Sequence, residues 1–320
     1  MKSSIHDQIA KQIGEIEQGR IRRHVETLAG FGPRSVDDPA TVQKTLAYLE
    51  DQLVTFGYAV SREPFGAEPY EFNLLASTVG KELPNSIVEL GGHYDTVRGS
   101  PGADDNGSAV AGVLEIARVL RASSCRRTIR FCLFGAEESG LRGSRAHVDA
   151  ICNNSNEEVD GIVVFEMIGF RTDEPNSQST PIRIPIILSP PRVGNFVCVV
   201  SNFRSRRVAA RFQNAARRYV PDLPLFVVKR LGGVLKDGAR SDHRPYWDSK
   251  RRGIMLSDTA NFRNPHYHQP TDLPDTLDYS FAVQIARATA AMLIEWAGGG
   301  MTNDREMTKS QCPMTKSAKS

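Results

Sequence analysis

A charge excess of either sign, paired cysteine motifs and long apolar runs are all lacking in this sequence, and each lack removes a class of function. Over 320 residues, 40 Lys and Arg oppose 37 Asp and Glu, for a formal net charge of +3. That balance gives no footing for nucleic acid, and no nucleic-acid partner is expected. Four of the cations (Arg305, Lys309, Lys316, Lys319) and two of the anions (Asp304, Glu306) lie in Met301–Ser320, so the rest of the chain is close to neutral. The cysteines are Cys125, Cys132, Cys152, Cys198 and Cys312. An odd count with no C-x-x-C pair argues against a disulfide framework or a thiolate zinc site. No apolar run approaches the roughly 20 residues of a membrane span. Met1 to Arg20 carries no apolar signal-peptide core, so the expectation is a cytoplasmic protein with no membrane partner. H-E-x-x-H, G-x-S-x-G, G-x-x-x-x-G-K and G-x-G-x-x-G are also absent. That speaks against a thermolysin-like protease, an α/β-hydrolase, a P-loop enzyme and a Rossmann dehydrogenase.

The composition itself is that of a folded globule, with 40% hydrophobic and 24% charged residues. Ile5, Ile9, Ile13 and Ile16 recur at helical spacing, as do Leu46, Leu49 and Leu53 ahead of Phe56-Gly57. Asn73 to Val79 and Ser86 to Gly91 read as strands separated by a turn at Leu83-Pro84-Asn85. Val110, Val113, Leu114, Ala117 and Leu120 form a helical apolar stripe. Thr128 to Phe134, Gly161 to Ile168 and Ile254 to Leu256 are further strand candidates, and Tyr279 to Trp296 is a closing helix. Strands alternating with helices predict an α/β fold, a central sheet sandwiched by helices. Arg171 to Pro191 reads as a loop. Ser201 to Tyr219, with six arginines, reads as a basic amphipathic helix with a solvated face. The expected organisation is a helical extension over 1–20, one domain over 21–299 with 171–220 flanking its cleft, and a disordered tail over 300–320.

Five segments carry chemistry. Gly91-Gly92-His93-Tyr94-Asp95 closes an apolar strand, and His93 and Asp95, two apart, point to one side of it. A carboxylate beside a metal-binding imidazole can accept its other N–H and fix its tautomer. Pro101-Gly102-Ala103-Asp104-Asp105-Asn106-Gly107-Ser108 leads into the Val110 stripe. Its acids read either as helix caps or as a carboxylate brought to a metal. Glu137 and Glu138 follow a strand, where open α/β sheets place their sites. Glu166 sits in the apolar run Val163 to Ile168, a costly place for a carboxylate unless it is paired or metal-bound. Asn264-Pro265-His266-Tyr267-His268 is the fifth, with His266 read as supporting or exposed rather than ligating.

Taken together and in this order, these segments resemble peptidase family M28, the co-catalytic zinc peptidases, from about His24 to Trp296. The resemblance implies a mixed, mostly parallel sheet of the zinc-dependent exopeptidase, phosphorylase/hydrolase-like type, and a catalytic domain over 21–299. It implies two zinc ions, other divalent metals being open. It makes His93 a ligand with Asp95 as its orienter, and Asp105 a bridge between the ions. Glu138 and His268 would hold one metal, and Glu166 with His93 the other. Glu137 would be general base and acid toward a bridging water or hydroxide, and Tyr267 would match a tyrosine that stabilises the oxyanion in some members. Ser241-Asp242-His243 matches a segment near the site. Many members carry Asp where this chain has Glu166, which leaves that ligand's denticity open.

Two histidines and three carboxylates are a borderline N/O donor set that suits zinc. Two Zn²⁺ are balanced by Asp105, Glu138, Glu166 and a hydroxide, so the buried shell is neutral. The leading expectation is therefore an aminopeptidase acting on peptides or small amides. The alternatives are a single-zinc acyltransferase of the glutaminyl-cyclase type, a carboxypeptidase or dipeptidase with Arg98, Arg240 or Arg244 gripping a carboxylate, and a small-amide amidohydrolase. A non-catalytic relative of the transferrin-receptor type would have lost ligands, and none is lost here. Substrate preference and oligomeric state are not legible in the sequence.

Overall fold

The computed structural model describes residues 4–180, 189–228, 232, 233 and 235–298. The expected tail over 300–320 lies outside the described residues, as does part of the expected loop Arg171 to Pro191. Among the described residues, eight strands form one mixed sheet in the order β1-β2-β4-β3-β5-β8-β6-β7. They are β1 (Val60–Pro64), β2 (Phe72–Thr78), β3 (Leu83–His93), β4 (Arg127–Phe134), β5 (Glu158–Glu166), β6 (Val197–Ser201), β7 (Leu225–Val228) and β8 (Gly253–Ser257). The central run β4-β3-β5-β8 is parallel throughout. β1, β2 and β6 join antiparallel, and β7 runs parallel to β6.

Leu83-Pro84-Asn85 is no turn between neighbouring strands: it opens β3, and β4 lies between β2 and β3. Pro84 is tolerated there because it stands at the strand's irregular start, before the ladder settles at Ile87.

Among the described residues, eight α-helices accompany the sheet: α1 (Ile5–Gly14), α2 (Gln18–Gly30), α3 (Pro39–Thr55), α4 (Ala109–Leu120), α5 (Arg142–Asn153), α6 (Arg206–Tyr219), α7 (His243–Asp248) and α8 (Tyr279–Gly298). One face of the sheet buries Val88, Leu90, Ile129, Phe131, Leu133, Val163 and Phe165 in the core that also holds the α4 stripe and α8. The opposite face buries Ile87, Cys132, Phe134, Ile162 and Val164 with α5 and Tyr246 of α7. Both faces of β3 and β5 are therefore covered, which explains their near-continuous apolar runs.

Ile9 and Ile13 of α1 are buried, and α1 packs on α8. The arginine-rich stretch resolves into the end of β6 and α6. Val208, Phe212, Ala215 and Ala216 of α6 pack toward α8, while Arg218 pairs with Glu295 at 2.8 Å. Cys125, Cys132 and Cys198 are free and buried, and Cys152 is disulfide-bonded.

Because β3, β4, β5 and β8 are parallel, their C-terminal ends reach one edge of the sheet. His93 is the last residue of β3, Glu166 the last of β5, and Glu137 and Glu138 follow β4 by three and four positions. An open α/β sheet builds its site at that edge.

Candidate metal centre

Donor atoms gather there as two trios. One ligand atom each from His93, Glu137 and Glu166 lie within 4.8 Å of one another, and so do atoms from Asp105, Glu138 and His268. His93 Nε2 stands 3.5 Å from Glu166 Oε2 and 3.5 Å from Asp105 Oδ1. The other oxygen, Asp105 Oδ2, stands 3.1 Å from His268 Nε2, which is itself 3.2 Å from Glu138 Oε1. One carboxylate thus faces both histidines. All eight residues singled out from the sequence come together, Asp95 and Tyr267 as neighbours of the trios. Geometry alone offers Glu137 as a third corner beside His93, the position that the resemblance gives to a base.

The backbone is held for this purpose. Asp95 accepts the Glu137 N–H at 3.0 Å on one oxygen and the Glu138 N–H at 3.2 Å on the other. Its carboxylate is 3.6 Å from His93 Nδ1, while its own carbonyl is closer to that nitrogen, at 3.1 Å. Asp95 therefore fixes the Glu-Glu pair with its side chain and the imidazole with its backbone. Asp272 does the same for the acidic pair, accepting from the Asp104 N–H (2.9 Å) and the Asp105 N–H (3.1 Å). Asn106 accepts from the Met167 N–H and donates to the Phe165 carbonyl, bracketing Glu166.

Arg34, fully buried, donates to the carbonyls of Leu28, Tyr94, Pro101 and Gly102 and so tethers the segment before Asp105. Gly102 sits at φ +60, and a Cβ there would lie 2.3 Å from the Asp105 carbonyl. Only glycine fits this left-handed, crowded position.

Sequence reasoning missed Arg34, Asp272 and the structural use of Asp104 and Asn106. Their signal is spatial, since Asp272 is 167 residues from the N–H of Asp105.

The surroundings are polar on one side and apolar on the other. Ser241 Oγ donates to Glu166 Oε2 at 2.6 Å. Asp242 is buried with neither oxygen hydrogen-bonded, and burial first, then nearby acids, raises it to about 7. His243 donates from Nε2 to the Gly238 carbonyl at 2.9 Å and lies edge-on to Trp247. The Tyr267 ring stacks on His268 at 3.8 Å, and its hydroxyl accepts from Arg240 Nη2 at 3.0 Å. His266 belongs to neither trio and bonds Thr271 at 2.9 Å. A cavity of about 380 Å³ opens from the trios and is lined beyond them by Phe196, Val200, Phe226, Val228, Leu235 and Met255.

Burial pushes Glu137 well above the ordinary carboxylate range, opposed by His93 and reinforced by Glu166, Asp242 and Glu138. At His268, burial lowers the imidazole, but Asp105 and Glu138 outweigh it and bring it to about 10. Such an excess of carboxylates draws in positive charge.

His93 Nε2, Asp105 Oδ1 and His268 Nε2 are buried atoms with no hydrogen-bond partner. A buried polar group left unpaired costs on the order of 1–3 kcal/mol, so orphans aimed at one another mark a ligand. Histidine nitrogens with carboxylate oxygens are a zinc donor set, and the residues fit that ion.

The model of "Peptidase family M28" matches residues 73–293. The protein YfbL of Escherichia coli K12, named as uncharacterized, is 30% identical over 276 residues, with 82% of each chain covered. The chain spans less than two thirds of several curated relatives named as aminopeptidases or zinc metalloproteases. Among solved structures, the LapA aminopeptidase of Legionella pneumophila superposes at TM-score 0.75 and 21% identity, covering 92% of this chain and 76% of that one. The glutaminyl cyclase of Porphyromonas gingivalis superposes at TM-score 0.65 and 19% identity, covering 88% and 99%. These two likenesses carry the fold.

Proposed function

The chain belongs to peptidase family M28, and from that premise we propose that it is a zinc-dependent aminopeptidase whose centre takes two ions. The observation that carries this reading is the split carboxylate of Asp105, with one oxygen toward His93 and the other toward His268. His93, Glu166 and Asp105 would hold one zinc; His268, Glu138 and Asp105 would hold the other. Bound zinc supplies Lewis-acid polarisation of the scissile carbonyl and lowers the pKa of water.

Glu137 moves the proton. Its raised affinity for a proton suits a group that takes one from water at a carboxylate oxygen and returns it to the leaving amine nitrogen. Asp95 keeps that carboxylate in place through the Glu137 N–H. Tyr267, steadied by Arg240, presents its hydroxyl as a donor to the oxygen on which negative charge develops. The apolar wall from Phe196 to Met255 receives a side chain of the substrate and excludes water from it.

The cyclase-type alternative requires one ion. It leaves one of the two trios, with its orphaned histidine Nε2, without a task.

The test uses matched peptides and aminoacyl amides with free or acetylated N-termini and free or amidated C-termini. The aminopeptidase reading expects cleavage only where the N-terminus is free, loss with chelator and return with zinc. Cleavage that instead requires a free C-terminal carboxylate would overturn it and point to Arg240 as the anchor.

A further inference from the structure

A third group of metal-ligating side chains lies apart from the centre just described. Glu89 of β3, Cys132 of β4 and His147 of α5 are all buried on the α5/α7 side of the sheet, and their donor atoms lie within 4.8 Å of one another. Glu89 precedes His93 by four residues on the same strand, roughly 13 Å along it. The two sites share no residue. We propose that Glu89, Cys132 and His147 bind a borderline-soft divalent cation, zinc by preference, at a structural site distinct from the candidate metal centre.

The distances are close to those of a coordinated ion. His147 Nε2 is 3.1 Å from Glu89 Oε1 and 3.9 Å from Cys132 Sγ. Ligand atoms around a tetrahedral zinc stand roughly 3.3–3.7 Å apart, so these two separations are a few tenths of an ångström from coordinated values, and three protein donors would leave the fourth position to water. Thiolate, imidazole and carboxylate are the three zinc donor types.

Two of the three ligands, His147 and Glu89, are also held by neighbouring side chains. Glu63 holds His147 Nδ1 at 2.9 and 3.0 Å, and Asn73 holds Glu63 at 2.9 Å. A carboxylate on the far ring nitrogen is the arrangement that orients a metal-binding histidine. Tyr246 donates to the other Glu89 oxygen at 2.6 Å, and Arg130 donates to Glu89 Oε1 at 3.3 Å while pairing with Glu157 at 2.7 Å.

The charge count agrees with exchange. Both nitrogens of His147 face carboxylates, so the ion-free ring carries two protons, and Cys132 is a free thiol. A divalent ion displaces one proton from His147 Nε2 and one from Cys132 Sγ, and the net charge of the buried group is unchanged. A cavity of about 410 Å³, lined by Glu63, Arg130, His147 and Glu157, reaches His147, the ligand of the three nearest to it. Once bound, the ion ties β3, β4 and α5 together below the site edge of the sheet.

Sulfur ligation is the signature, because the candidate metal centre offers only nitrogen and oxygen. The full-length protein is stripped with chelator, titrated with Co²⁺ and followed in the near ultraviolet. The expected result is a thiolate-to-cobalt charge-transfer band. It falls at least tenfold in Cys132→Ser and persists in a Cys125→Ser, Cys198→Ser double variant. Should Cys132→Ser fail to fold, the zinc-edge absorption of that double variant decides in its place, with a sulfur scatterer expected at about 2.3 Å. A fully loaded wild-type protein without the band, or a band that survives Cys132→Ser, would overturn the proposal and leave a closed ion-pair network. Neither result depends on how many ions the candidate metal centre holds.

Discussion

His93 Nε2 and Asp105 Oδ1 face each other across 3.5 Å, both buried and neither hydrogen-bonded to any group in the protein. The distance is too long for a hydrogen bond, and it suits two ligands of one ion. Asp105 repeats the relationship with His268 through its second oxygen. Asp272 and the Arg34 tether hold the Asp105 backbone from the other side, so its orientation belongs to the fold rather than to a flexible side chain.

Glu137 carries the proton in this account, and its replacement by Gln preserves shape while removing the base. Glu137→Gln is expected to keep its zinc and to lose activity by about 10²–10⁴, the range for general acid–base groups. Steady-state kinetics beside elemental analysis checks this. Retained turnover in a zinc-replete variant removes Glu137 from the role.

Asp95 acts on the Glu pair through two backbone N–H groups. Asp95→Ala leaves both donors unpaired, at about 1–3 kcal/mol each if they stay buried. Zinc affinity should fall about 10–100-fold, as when groups behind ligands are removed. A chelator competition titration reads the affinity and thermal unfolding reads the stability. An unchanged zinc affinity would show that Asp95 supports only the fold.

Tyr267→Phe removes a hydroxyl and keeps the ring stacked on His268. A donor used only as charge develops lowers kcat and leaves KM nearly unchanged, by about 10²-fold for a typical oxyanion donor. A rise in KM with constant kcat would instead assign Tyr267 to substrate binding.

His24 is buried beside Tyr48, its Nδ1 2.6 Å from that hydroxyl, and burial lowers its pKa to about 4. The folded chain therefore keeps His24 neutral where the unfolded chain, near 6.5, protonates it. Its contribution is fully present above pH 6.5 and is lost as pH falls toward 4, on the order of 3 kcal/mol over the whole interval. Thermal midpoints of the chelated protein between pH 7 and 4.5 should fall less steeply in His24→Gln. Equal slopes would contradict the assignment.

What could be read in the sequence was local. His93, Glu137, Glu138 and Glu166 announced themselves because each stands at or just after the end of an apolar strand. The α4 stripe and the closing helix α8 follow from their spacing. The short strands β1, β6 and β7 escaped because four or five residues leave too little pattern to separate from loop. The Leu83-Pro84-Asn85 reading failed because adjacency in sequence was taken for adjacency in the sheet, whereas β4 inserts between β2 and β3. Arg34, Asp272 and His147 could not be found at all. Each works on a partner more than 50 residues away, and no local motif records that.

The most direct test of the central claim is zinc per chain, by elemental analysis of protein purified without chelator and re-equilibrated with zinc, in wild type and in His268→Ala. Because Cys132 can hold its own ion, the decisive quantity is the difference between the two proteins in a Cys132→Ser background. The account predicts two zinc ions per chain in that background and one after His268→Ala. A single ion in both proteins would contradict the dinuclear centre and favour a one-ion enzyme.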